Sequence, residues 1–175
     1  MTEEREERLV RDFPELFRNY QKNSSRMYWG FACEDGWFDL LYRLSSRIDL
    51  IAREGEVVVE ALQVKEKFGG LRFYYALEMG RAPQGSKPGV DVVIKETPES
   101  FRITGVSSDD LSRKIHKIVR AAEDESITVC ELCGQPGILR DIGRWFQTLC
   151  DPCLVLRLAQ RRSRGRLLPS PFCQG

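Results

Sequence analysis

One histidine, His116, occurs in 175 residues. That scarcity excludes an H-E-x-x-H metal site and leaves little for a His-dependent nucleophile. No G-x-S-x-G elbow and no Gly-rich phosphate loop occurs either. No apolar run approaches the roughly 20 residues that span a bilayer. The first eight residues, Met1 to Arg8, hold four glutamates and no apolar stretch of the signal-peptide kind, so a cytoplasmic protein with no membrane partner is expected. Net charge is almost absent too: 27 basic against 26 acidic side chains, formally +1. A uniformly basic nucleic-acid coat is therefore excluded.

The small total conceals a gradient. Residues 1–60 carry 9 basic and 13 acidic side chains, residues 61–133 carry 11 of each, and residues 134–175 carry 7 and 2. All seven cations of that last third are arginines. With 42% hydrophobic and 30% charged residues the chain reads as a globule with a real core.

Periodicity predicts an α+β fold: a short antiparallel sheet of about four strands packed with helices. Residues 3–20 form an amphipathic helix, broken or re-aimed at Pro14, with Leu9, Val10, Phe13, Leu16, Phe17 and Tyr20 inward. Residues 21–36 read as loop, and five of the 17 aromatics crowd positions 28–38. Those rings either pin the loop to the core or face a ligand or partner. A second helix spans 37–53, with Trp37, Leu40, Leu41, Leu44, Ile48, Ile51 and Ala52 on one face and Gly55 after its end. The period then falls to two over 57–77, around Gly69-Gly70.

Read as a two-residue type I′ turn, Gly69-Gly70 sets Phe68 opposite Leu71 and Val64 opposite Tyr75 on a core face, with Lys67 opposite Arg72 behind. Lys65, Lys67, Arg72 and Tyr74 then share a small cationic face, which either leans on a nearby carboxylate or docks an anionic partner. Residues 79–89 read as a loop, short strands lie within 90–104, and a third helix covers 108–125.

Six cysteines occur, and four are paired. Cys130-Glu-Leu-Cys133 and Cys150-Asp-Pro-Cys153 are two C-x-x-C motifs 16 residues apart, the spacing of a four-thiolate zinc site. Two intervening residues let one turn aim both sulfurs at one ion. A hairpin over 138–149 and a helix over 154–162 complete a treble-clef-like finger. Four protein ligands close the shell, so one structural Zn2+ is expected, not a catalytic one. Cys33 and Cys173 gain no role from spacing. The domain division expected is 1–126 for the α+β domain, 127–164 for the finger and 165–175 for a flexible tail.

Around the finger lie Arg140, Arg144 and Trp145 on the hairpin, and Arg157, Arg161 and Arg164 along the last helix. Arginines beside an aromatic ring on a zinc finger can bind nucleic acid or a protein, or can simply offset the thiolates. The His-dependent nucleases built on a treble clef need histidines that residues 130–175 lack. A faint nuclease pattern persists in Glu60, Gln63 and Lys65, with Asp39 or Asp49 as a remote ligand; in the register above Glu60 lies on the face opposite the other two.

Glu34-Asp-Gly-Trp-Phe38, the run Val64-Lys-Glu-Lys-Phe-Gly-Gly-Leu-Arg-Phe-Tyr74 and the paired C-x-x-C motifs together resemble a group of small proteins from bacteriophages and bacterial mobile elements. The resemblance covers most of residues 8–153. It implies origin more than mechanism, and no catalytic residue carries over. What it implies is a binding protein: a factor that meets a host protein or nucleoprotein complex, such as a CRISPR effector, or a DNA- or RNA-binding accessory.

Overall fold

The fold is that of a computed structural model, which describes residues 1–20, 30–79, 92–97, 100–105, 109–143 and 145–165. For residues 79, 92–97, 100–105, 109 and 162–165 the backbone alone is described. The elements run α1 (Glu3–Asp12), β1 (Phe31–Ala32), α2 (Phe38–Glu54), β2 (Val57–Lys67), β3 (Gly70–Met79), β4 (Val92–Thr97), β5 (Ser100–Gly105), α3 (Asp109–Ser126), β6 (Ile138–Asp141), β7 (Phe146–Leu149) and α4 (Asp151–Gly165).

The first helix is shorter than its pattern. Pro14 disfavours helical backbone at the residue before it, and Phe13 leaves the helix at φ −132°. Residues 13–20 continue as turns that still bury Phe13, Leu16 and Phe17. The apolar positions expected of a helix over 3–20 thus reach the core by a different backbone path. Helix α2 follows its pattern closely, burying Leu40, Leu41, Leu44 and Ile48. A 3-10 turn, Asp35–Trp37, precedes it and buries Trp37 completely.

The described residues do not show the expected four-stranded sheet. One sheet has three strands in the order β1-β2-β3, and β4-β5 is a separate two-stranded ribbon. The extra strand β1 comes from the segment read as loop; it pairs in parallel with β2, Phe31 beside Val64. Two residues carry no readable period, so only a partner more than thirty residues away makes them a strand.

The hairpin register also differs. Lys67 pairs with Gly70, Lys65 with Arg72 and Val64 with Phe73, so the turn is Phe68-Gly69 and not Gly69-Gly70. Both turn residues hold positive φ, 55° and 78°. Phe68 therefore lies 68% exposed where a core position was expected. A bulge between Ala61 and Gln63 then switches the strand's parity, so Val57, Val59 and Ala61 are buried before it and Val64 after it. The same bulge puts Glu60 on the face of Gln63 and Lys65.

Helix α3 packs along the outer edge of β3. Leu71 donates its N–H to Ser126 Oγ at 2.8 Å, and Phe73 donates to Glu123 Oε1 at 3.1 Å. Two edge amides are thus paired by buried side chains of a helix. The main core lies between this sheet, α2, α3 and the 9–17 segment; a second, small cluster surrounds Cys130, Ile142, Leu149 and Cys153.

Candidate metal centre

Four elements bring the cysteines together. Cys130 and Cys133 flank a tight turn in which Gly134 N–H donates to the Cys130 carbonyl at 2.9 Å. Gly134 takes φ +77°, which glycine adopts at least cost. Strands β6 and β7 pair Ile138 with Leu149 and Asp141 with Phe146, returning the chain to Cys150. Cys153 lies in the first turn of α4, behind Pro152, which tolerates that position because no helical N–H is lost there.

The four sulfurs all lie within 4.8 Å of one another, and Cys133 and Cys150 are 3.5 Å apart. A tetrahedron with metal–sulfur bonds of about 2.3 Å has sulfurs roughly 3.8 Å apart, so one ion fits. Charge is consistent with the same. Burial raises the Cys130 thiol, but backbone N–H groups of Cys150, Cys133 and Leu132 aimed at its sulfur outweigh that and bring it down to about 7. Burial and then the neighbouring thiols of Cys150, Cys133 and Cys130 push Cys153 up instead. Four thiolates cannot coexist here without a cation, and the cluster can hold one structural metal ion.

The centre is joined to the rest of the protein through both distinctive sequence motifs. From the first, Gly36 N–H donates to the Glu131 carbonyl at 2.7 Å and Trp37 Nε1–H to the Val129 carbonyl at 2.9 Å. From the second, the Gly69 carbonyl accepts from Thr148 Oγ1 at 2.7 Å. A side chain at Gly69 would run into Leu139, and one at Gly70 would come within 3.3 Å of Ile127. The two glycines are thus small for the sake of the finger, which accounts for the register: Gly69 must lie against β6 and β7, so Phe68 takes the other turn position.

Glu131, between the first two cysteines, is buried at this joint. Its carboxylate accepts from Glu34 N–H at 3.2 Å and from Gln147 Nε2 at 3.1 Å. Burial, with the nearby charge of Glu66 adding to it, raises its pKa to about 7. Glu131, Gln147 and Thr148 carried no signal in the sequence, and Glu34 carried one only as part of a motif, because their roles come from partners far along the chain.

The arginines expected at a partner surface are mostly engaged. Arg140 pairs with Asp151, and Arg157 Nη2 donates to Glu34 Oε1 at 2.8 Å. Arg161 donates through Nη1 to the Ile142 carbonyl. Arg144 lies outside the described residues, and Arg164 is described by backbone alone. Trp145 is 56% exposed. On the hairpin face, Lys65 stacks over Tyr74 at 5.2 Å, Lys67 over Phe68 at 5.3 Å, and Arg72 donates to its neighbour's carbonyl, Leu71 O, at 2.8 Å. The four expected there do gather, with Lys65 and not Lys67 opposite Arg72.

Glu60 shares a face with Gln63 and Lys65 but is spent on other work: Arg18 Nη2 donates to it at 2.7 Å, and Asn19 also donates to it. Among the described residues, the four cysteines are the one cluster of three or more metal-ligating side chains. His116 is exposed on α3. No helix among the described residues is long and apolar enough to cross a membrane. No family model, curated protein or solved structure matches the chain.

Proposed function

We propose that this chain is a non-enzymatic zinc protein of treble-clef type that acts by binding a protein partner through its finger. Four thiolates in tetrahedral reach favour Zn2+, and with four protein ligands the ion has no open position for substrate. The observation that carries the binding role is where apolar side chains are left in water. Among the described residues, every exposed large apolar side chain except Leu50 belongs to the hairpin tip, at Phe68, or to residues 127–158. Val155 and Leu156 on α4 are 66% and 59% exposed. Exposed apolar groups concentrated at one end of a molecule mark a protein-contact surface.

A nucleic-acid role draws less support, since the described part of the finger exposes apolar side chains and Arg140 is already paired with Asp151. The similarity to phage and mobile-element proteins points to a host complex, a defence effector among them, as the partner class. Affinity capture from bacterial lysate, with and without nuclease, tests the reading. A partner retained after nuclease treatment, and lost when Val155 and Leu156 are both changed to Asp in a protein that keeps its zinc, is expected. Capture abolished by nuclease, or indifferent to those substitutions, overturns it.

A further inference from the structure

A cleft of about 280 Å³ opens between the finger's hairpin and α4, lined by Glu34, Ile142, Trp145, Gln147, Arg157 and Arg161, among others. Two guanidinium groups meet in it with donors to spare. Arg157 commits Nη2 to Glu34, but its Nε is buried and has no hydrogen-bond partner. Buried donors are rarely left unpaired in a native protein, and the remaining N–H groups of this guanidinium are the ones the cleft can offer an anion. Arg161, four residues on and thus on the same face of α4, commits only Nη1, to the Ile142 carbonyl. The exposed ring of Trp145 forms a wall beside them.

We propose that this cleft receives an acidic side chain of the protein partner, its carboxylate held by Arg157 and Arg161 beside Trp145; this rests on the protein-binding role above. Glu34 already displays the chemistry, since its carboxylate takes one Arg157 N–H at 2.8 Å. Planar guanidinium forks match planar carboxylates in shape as well as charge. The surroundings decide between a protein and a nucleic acid as the source of the anion. A phosphate backbone needs a track of cations leading away from the cleft. The finger that carries the cleft leaves Leu139, Phe146 and Leu156 exposed among its described residues, and such surface is covered by protein.

The test uses the zinc-loaded full chain and a blocked tetrapeptide of alternating Glu and Asp, read by tryptophan fluorescence. A saturable change is expected that disappears in Trp145→Phe, weakens about tenfold or more in Arg161→Gln and is unaltered in Lys65→Gln. Arg161→Lys, which keeps the charge and loses the fork, serves if the Gln variant loses its metal or its fold; weakening is expected there too. No saturable response at millimolar peptide, an equal response to the Gln/Asn counterpart, or tighter binding of a single-stranded thymidine oligonucleotide overturns the proposal. If lysate capture of a partner persists unchanged in Arg161→Gln and the peptide fails to bind, the cleft assignment falls while the protein-binding role stands. If the peptide binds and no protein is captured, the reverse holds.

Discussion

Gly36 and Gly134 face each other across the joint between the α2 entry and the metal centre. A Cβ on Gly36 would lie 2.5 Å from Gly134 N and 2.6 Å from the Glu131 carbonyl oxygen, and one on Gly134 would lie 3.0 Å from Gly36 O. Both neighbours are backbone and cannot swing aside. Gly36→Ala should therefore destabilise the protein by about 1–3 kcal/mol, the usual cost of overpacking. Denaturant unfolding checks this, with a metal titration alongside, since the same shift displaces Cys130 and should weaken metal binding. An unchanged midpoint and affinity would show that the joint is looser than described.

Phe68 offers the opposite sign. It holds φ +55° in the turn and lies 68% exposed, so its ring contributes little burial while its backbone is strained. Phe68→Asn, which creates the favoured Asn-Gly type I′ turn, should raise stability by about 0.5–1 kcal/mol. Were Phe68 a core residue, as the alternation alone implies, the same change would cost about 3–5 kcal/mol. Thermal unfolding of this one variant separates the two registers.

Metal removal should reach well beyond the finger. Trp37, wholly buried in the main core, donates its indole N–H to Val129, next to Cys130. A chelator, or Cys150→Ser, should lower the unfolding temperature and alter the emission of Trp37. A chelated protein that melts as before, with Trp37 unchanged, would mean the finger is an independent appendage.

The cysteines should also divide by reactivity. Burial pushes the Cys33 thiol up to about 12, so at pH 8 it stays protonated and shielded from alkylation. Cys133 is exposed and Cys150 half-buried, and a bound metal is what would protect them. Iodoacetamide labelling followed by peptide mass spectrometry should modify Cys133 and Cys150 once metal is stripped, while Cys33 reacts only after unfolding. Rapid native labelling of Cys33 would contradict its burial.

How far the sequence foretold this varies with the range of the contact. Helix α2 and the two C-x-x-C turns are local patterns, and they stand where periodicity and spacing put them. The hairpin is local as well, yet its register is set by Leu139, Gln147 and Thr148, some 70 residues downstream. Strand β1 exists only through its pairing with Val64 and Lys65. The stripe of Arg157 and Arg161 was legible as a spacing, but Glu34, which occupies one of them, lies 123 positions away. The motifs that carry the resemblance, Glu34 to Phe38 and Val64 to Tyr74, serve in large part as the seat of the metal centre.

The pairing of Leu71 and Phe73 with Ser126 and Glu123 has a consequence for assembly. At those positions β3 has no amide left to offer a strand from another molecule, and β1, on the other side of β2, is only two residues long. Strand addition, whether into a dimer or into an aggregate, is closed at the Leu71–Phe73 stretch of the β3 edge while α3 stays docked. Releasing α3, by Ser126→Ala together with Glu123→Ala, would turn that edge into a template. Over that stretch the helix is thus a guard against self-association as much as a wall of the core.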